Sequence, residues 1–129
     1  MIKLVYCIQR KEGLTRKAFQ DYWLNQHASL VKELAATLGV AKYVQSHTFE
    51  TPLTEGTTAA RGMSNDDYDG LTEMWWQDEA SMMPAGAEPA DIEDAVGKLL
   101  IDEANFIDFE RSKIFFAKEH HIIDETATS

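Results

Sequence analysis

Gly70-Leu71-Thr72-Glu73-Met74-Trp75-Trp76 is the stretch that decides the fold. Leu71, Glu73 and Trp75 alternate against Thr72, Met74 and Trp76, a period of two that predicts a strand over 70–76. Bulky side chains stand on both of its faces. Upstream, residues 40–49 alternate too, with Lys42, Val44, Ser46 and Thr48 against Tyr43, Gln45, His47 and Phe49. Residues 51–68 between them hold Pro, Thr, Gly and an Asn-Asp-Asp run without apolar periodicity. They read as one long loop: a lid, a binding loop, a partner contact or a tolerated insertion. Two strands thus follow one another with no helix pattern between them.

Outward from this pair the chain is helical on both sides. Toward the N-terminus, Phe19, Tyr22, Trp23, Leu30, Val31 and Leu34 form the apolar stripe of one long amphipathic helix. Thr15 is its candidate N-cap, and Gly39 fits a left-handed stop. Ahead of it, residues 2–9 read as a strand with Ile2, Leu4, Tyr6 and Ile8 on one face. Toward the C-terminus, a short helical turn is expected over 78–83. A second helix follows Pro89, with Ile92, Val96, Leu99 and Leu100 on one stripe, and a last strand covers 111–119. The order β-α-β-β-α-β is that of an α+β, ferredoxin-like sandwich: an antiparallel four-stranded sheet with both helices on one face. The sheet is apolar on both sides and the helices cover only one, so a homodimer, sheet against sheet, is expected to cover the other.

Bulk properties set the boundaries. A chain of 129 residues, 44% hydrophobic and 26% charged, fits one globular domain, placed at 1–121 with a loose polar tail over 122–129. The formal charge of −10, without clustered Lys or Arg, argues against nucleic acid and anionic membranes. No apolar run approaches the roughly 18 residues of a spanning helix, and the N-terminus reads as a strand, not as a signal peptide. Cys7 is the only cysteine, which excludes an intrachain disulfide and points to the cytoplasm.

The best chemical lead is His27. It occupies the slot eight residues after Phe19 on the first helix stripe, where packing alone would favour Leu or Ala. A ring there either serves as a general acid or base, or is a core histidine tied to a carbonyl or carboxylate. His47 and Tyr43 share one strand face, about 13 Å apart, and are expected to line opposite parts of one cavity. Asp69 and Glu73 are candidates for holding the proton on a histidine nitrogen; a turn residue and an interface carboxylate are the plainer readings. Trp23, Trp75 and Trp76, with Tyr22 and Tyr43, are core residues or a platform for a flat, greasy ligand. No metal-ligand spacing, phosphate loop, dinucleotide fingerprint or nucleophile elbow is present, and no cofactor is expected.

Tyr22-Trp-Leu-Asn-Gln-His27-Ala28, Tyr43-Val-Gln-Ser-His47, Asp69-Gly70-Leu-Thr-Glu73-Met-Trp75-Trp76 and Asp102-Glu-Ala-Asn-Phe-Ile-Asp108 occur in an order that resembles the EthD family over residues 1–121. The chain departs from that pattern at Ser29, where Pro is expected, and in the 51–68 loop. The resemblance implies a dimeric α+β barrel, with a cavity between sheet and helices in each subunit. It carries His27 onto the histidine of the family motif. It also implies a small hydrophobic or aromatic intermediate of an oxidative catabolic or polyketide-like pathway. The chemistry expected is cofactor-free: a dehydratase, cyclase or isomerase moving protons through His27, or an oxidoreductase without cofactor. The alternative is a non-catalytic carrier that holds an intermediate for a partner oxygenase.

Overall fold

The computed structural model describes residues 1–64 and 66–126. Four strands form one antiparallel sheet: β1 (Ile2–Ile8), β2 (Lys42–His47), β3 (Gly70–Trp76) and β4 (Lys113–Lys118), in the spatial order β2-β3-β1-β4. Alternation set the register: Leu4 lies opposite Met74 on one side and Phe116 on the other, and Tyr43 faces Met74. Directly opposed residues share a face. The inner face, toward the helices, therefore carries Tyr6, Ile8, Tyr43, Thr72, Met74 and Trp76. Lys3, Val5, Lys42, Glu73, Trp75 and Phe115 fall on the outer face. The sequence-based order of the four strands and the two long helices is the observed one.

The long first helix is not one regular helix. It runs as α1 (Arg16–Tyr22), a π-helical turn (Trp23–His27) and α2 (Ala28–Leu38). Thr15 caps it by accepting from the Ala18 N–H at 3.0 Å, and Gly39 ends it at φ 70°. Within the π turn the Ala28 N–H reaches back five residues to the Trp23 carbonyl. Asn25 Nδ2 and Ser29 Oγ donate to the Asp21 and Asn25 carbonyls around it. Apolar spacing does not encode one widened turn, which is why it was read as continuous helix. Phe19, Trp23, His27, Val31, Leu34 and Leu38 are buried along the result.

The expectation of an unbroken loop over 51–68 is corrected. Residues Pro52–Ala59 form α3, started by Thr51 Oγ1 accepting from the Leu53 N–H and by proline in the first turn. No residue of α3 is buried, so the apolar signal that announces a helix is missing. α4 (Pro89–Glu103) packs on α2 through Leu34, Leu38 and Ala95, flanked by Ile92 and Leu99. The expected short turn is a single 3₁₀ turn, Ala80–Met82. Of the expected tail, residues 122–126 lie outside helix and strand, while 127–129, like Asn65 in the expected loop, are outside the described residues. Among the described residues no helix is long and apolar enough to cross a membrane.

Candidate functional site

α4 leans on α2 rather than on the sheet, and the gap it leaves is an apolar cavity of about 310 Å³. Leu4, Ile8, Met74 and Trp76 give it a sheet floor; Val31 and Leu99 belong to its helical walls. Val96 and Leu100 of α4, and Ile114 and Phe116 of β4, line it yet remain between 43% and 55% exposed. The cavity therefore opens along the α4–β4 side.

His27, at the end of the π turn, is on the wall and only 6% exposed. Its Nδ1 lies 2.7 Å from Asp102 Oδ2, while Tyr22 Oη donates to Asp102 Oδ1 at 2.5 Å. A carboxylate accepts, so Nδ1 carries the proton and Nε2 keeps its lone pair. Burial pulls the imidazole below its usual range, against the opposing pull of Asp102. Phe106 packs tilted on the ring, 5.0 Å between centroids.

Two phenols line the cavity from the sheet. Tyr6 shares the wall with Glu103, the last residue of α4. Burial, opposed by the nearby Tyr6 hydroxyl and aided by the Asp102 charge, pushes the Glu103 carboxyl up to about 7. Tyr43 is the other. Gln45 Nε2 donates to Tyr43 Oη at 2.7 Å and to the Trp23 carbonyl at 2.9 Å. The carbonyl can only accept, so it fixes which end of the Gln45 amide is nitrogen. Gln45 Oε1 then faces His47 Nε2 at 2.8 Å, and His47 must donate.

Of the residues singled out in the sequence, His27, Tyr43, Trp23 and Trp76 meet at the cavity. Tyr22 stands behind it, on Asp102. His47 is corrected: its ring lines a shallow depression with Thr48 and Tyr68 and reaches the cavity indirectly, by stacking on Trp23 at 4.5 Å and through Gln45 to Tyr43. Asp69 does not touch a histidine. It is 1% exposed and held by the Arg10 N–H at 2.7 Å, Arg10 Nη1 at 2.6 Å and Arg16 Nε at 2.9 Å. These contacts outweigh burial and keep its carboxyl below the usual range. Glu73 and Trp75 point to the outer face. Glu73 pairs with Lys3 at 2.6 Å, Trp75 Nε1 donates to Glu119, and Lys42 lies 4.5 Å over the Trp75 ring. The strand period puts them on the face opposite to Thr72, Met74 and Trp76.

Sequence reasoning missed Asp102 and Glu103 as site residues. The signal for Glu103 was of the kind that revealed His27. Counted from Ile92, it fills the offset-11 slot of the stripe holding Val96, Leu99 and Leu100. Among the described residues no group of three His, Cys, Asp or Glu side chains is arranged to hold a metal ion.

A family model described as the EthD domain matches residues 11–110. Solved structures share the fold at low identity. An EthD family protein from Bacillus halodurans is 18% identical, with 93% of this chain and 99% of that one covered and a TM-score of 0.59. A dimeric protein with a ferredoxin-like fold from Bacteroides fragilis is 8% identical, over 92% and 95%, at 0.53. A candidate antibiotic biosynthesis monooxygenase from Deinococcus radiodurans is 13% identical, over 96% and 97%, at 0.50. No curated protein matches the sequence significantly.

Proposed function

The chain belongs to the EthD family, and we propose that it carries out cofactor-free proton chemistry on a small, largely apolar or aromatic molecule held between sheet and helices. The observation that carries this reading is His27 on the wall of an apolar cavity, with Asp102 behind its Nδ1. Nε2 is the basic atom. It takes a proton from the ligand, and Asp102 stabilises the imidazolium that results. Tyr43, whose oxygen already accepts from Gln45, has its hydrogen left to polarise a ligand oxygen. Dehydration, cyclisation and isomerisation need no more than this; oxidation of an electron-rich ring without cofactor is the nearest variant.

We further propose that the molecule works as a cytoplasmic homodimer paired through the outer sheet face. The expected reason changes in part. Trp75 is only 6% exposed within one chain, covered by Lys3, Lys42 and Glu119, and does not call for a partner. Phe115, on the same face and 51% exposed, does. The similar structure from Bacteroides fragilis is described as dimeric.

The test starts with native mass spectrometry of protein purified from its own cells, to identify a co-purifying organic adduct and the number of chains. With that adduct as substrate, His27→Ala is expected to keep ligand affinity and lose roughly 10²–10⁴-fold in turnover. A variant that changes affinity alone, with no turnover in the wild type, would establish a carrier that serves a separate oxygenase. A single-chain mass would overturn the dimer.

A further inference from the structure

The reading above uses one proton-exchanging group of the cavity, and the cavity has a second. Glu103 ends α4 on the cavity wall, which it shares with His27 of the π turn and Tyr6 of β1. Among the described residues no Lys or Arg lines the cavity, so no permanent cation on its wall meets an anion placed there. The groups around Glu103 offer it no cation either. Tyr6 faces it from β1, Asp102 neighbours it on α4, and His27 and Tyr43 share the cavity from the π turn and β2. Lys11 is engaged with the backbone just beyond this helix end, donating to the Ala104 carbonyl at 3.1 Å. The C-terminal end of α4 adds partial negative charge.

These surroundings reverse the roles the two groups have in water. A free carboxyl is ionised near neutrality and a free imidazole is the readier acid. In the cavity burial disfavours both charged forms, leaving a neutral imidazole beside a carboxyl that still holds its proton over much of that range.

We propose that Glu103 is the proton donor opposite His27, and that the cavity takes uncharged aromatic molecules bearing a hydroxyl or carbonyl oxygen and rejects carboxylates. This rests on His27 acting as the base. In each cycle Nε2 takes a proton from a ligand carbon or hydroxyl while the Glu103 O–H gives one to a ligand oxygen. The ligand keeps its proton count. Where the protonated oxygen is a hydroxyl β to the deprotonated carbon, the C–O bond breaks, a C=C bond forms and water leaves. Solvent then returns the proton from imidazolium to carboxylate.

The experiment uses the whole protein with glutamate side chains labelled with a carbon isotope for NMR, and naphthol and naphthoate as probes. One resonance, absent from Glu103→Gln, is expected to titrate near 7. Naphthol is expected to bind without pH dependence through that region. Naphthoate should bind more weakly, losing on the order of tenfold per pH unit above the midpoint, and Glu103→Gln should remove that slope. A Glu103 midpoint in the ordinary glutamate range, or naphthoate binding as tightly as naphthol, overturns the proposal; both are read on the wild type even if the variant fails to fold. The two readings fail separately. Naphthol bound with Glu103 titrating low removes only the Glu103 proposal, whereas His27→Ala with full turnover of the native adduct removes the base on which both depend.

Discussion

Asp69 and Glu103 are both carboxyl groups withdrawn from water, and their surroundings drive them in opposite directions. Asp69, at the end of the sheet, collects a backbone N–H and two guanidinium groups, so its charge is matched on all sides and its acidity increases. Glu103 has one phenol nearby, a like-charged neighbour and an apolar cavity, which favour its protonated form. The first arrangement holds a structure together: Arg10 joins the loop after β1 to the start of β3, and Arg16 ties α1 to both. The second leaves a group poised to give or take a proton. Sequence offered Asp69, alongside Glu73, as a candidate carboxylate for the site. Geometry favours Glu103, because a fully paired charge has little left to offer a ligand.

The largest expected effect breaks the first member of this pair. Asp69→Asn leaves Arg10 without its anion and Arg16 with only Asp67, at a cost of roughly 2–4 kcal/mol, trimmed because both arginines reach solvent. Urea unfolding at neutral pH checks it. The sign with pH follows from the lowered carboxyl: its stabilisation is present above the ordinary value of 3.8 and lost as pH falls through the lower folded value. Asp69→Asn should therefore flatten the acid side of the stability profile.

Glu103 predicts the opposite slope. Its folded value lies near 7 against an ordinary 4.5, so the contribution is full below 4.5 and disappears as pH rises through about 7. The loss across that window is on the order of 3 kcal/mol, and Glu103→Gln should erase it. Unfolding series at stepped pH for both variants would set the two slopes side by side. Equal slopes would end the distinction drawn between the sites.

A smaller effect tests how the cavity orients its phenol. Gln45→Leu removes the amide shared by the Trp23 carbonyl, Tyr43 and His47, and is expected to cost about 1–2 kcal/mol in thermal unfolding. Binding of an oxygen-bearing probe should weaken with it if Tyr43 is held as a donor. Smallest is Glu73→Gln on the outer face. Its pair with Lys3 is partly solvated, with side chains about one-fifth exposed, and should be worth less than about 1 kcal/mol. A dimer dissociation constant measured on the same variant would show whether this face pairs with a second copy.

Much of the fold was legible because strand alternation and helix stripes repeat over many residues. β3 could be placed from seven letters, and the order of the four strands followed. Two local features could not be read. The π turn changes one hydrogen-bond step without altering composition, and α3 buries nothing, so Thr51 and Pro52 were its only marks. In the site, His27 was visible as a polar residue interrupting an apolar stripe. Glu103 broke its own stripe in the same manner, yet a glutamate near a helix end passes for a solvated one.

The sequence by itself determined which faces are apolar, where the chain turns and that His27 belongs inside. These are properties of neighbours along the chain, carried by periods of two and 3.6. Only the tertiary structure decided which polar groups meet. It joined His27 to Asp102 across 75 residues, set Tyr6 against Glu103, gave Asp69 to the arginines and turned Glu73 and Trp75 to the outer face. Charge and acidity depend on what lies within a few ångströms in space, and for these groups, the Asp102 beside Glu103 aside, the deciding neighbours come from a distant part of the chain or from the cavity itself.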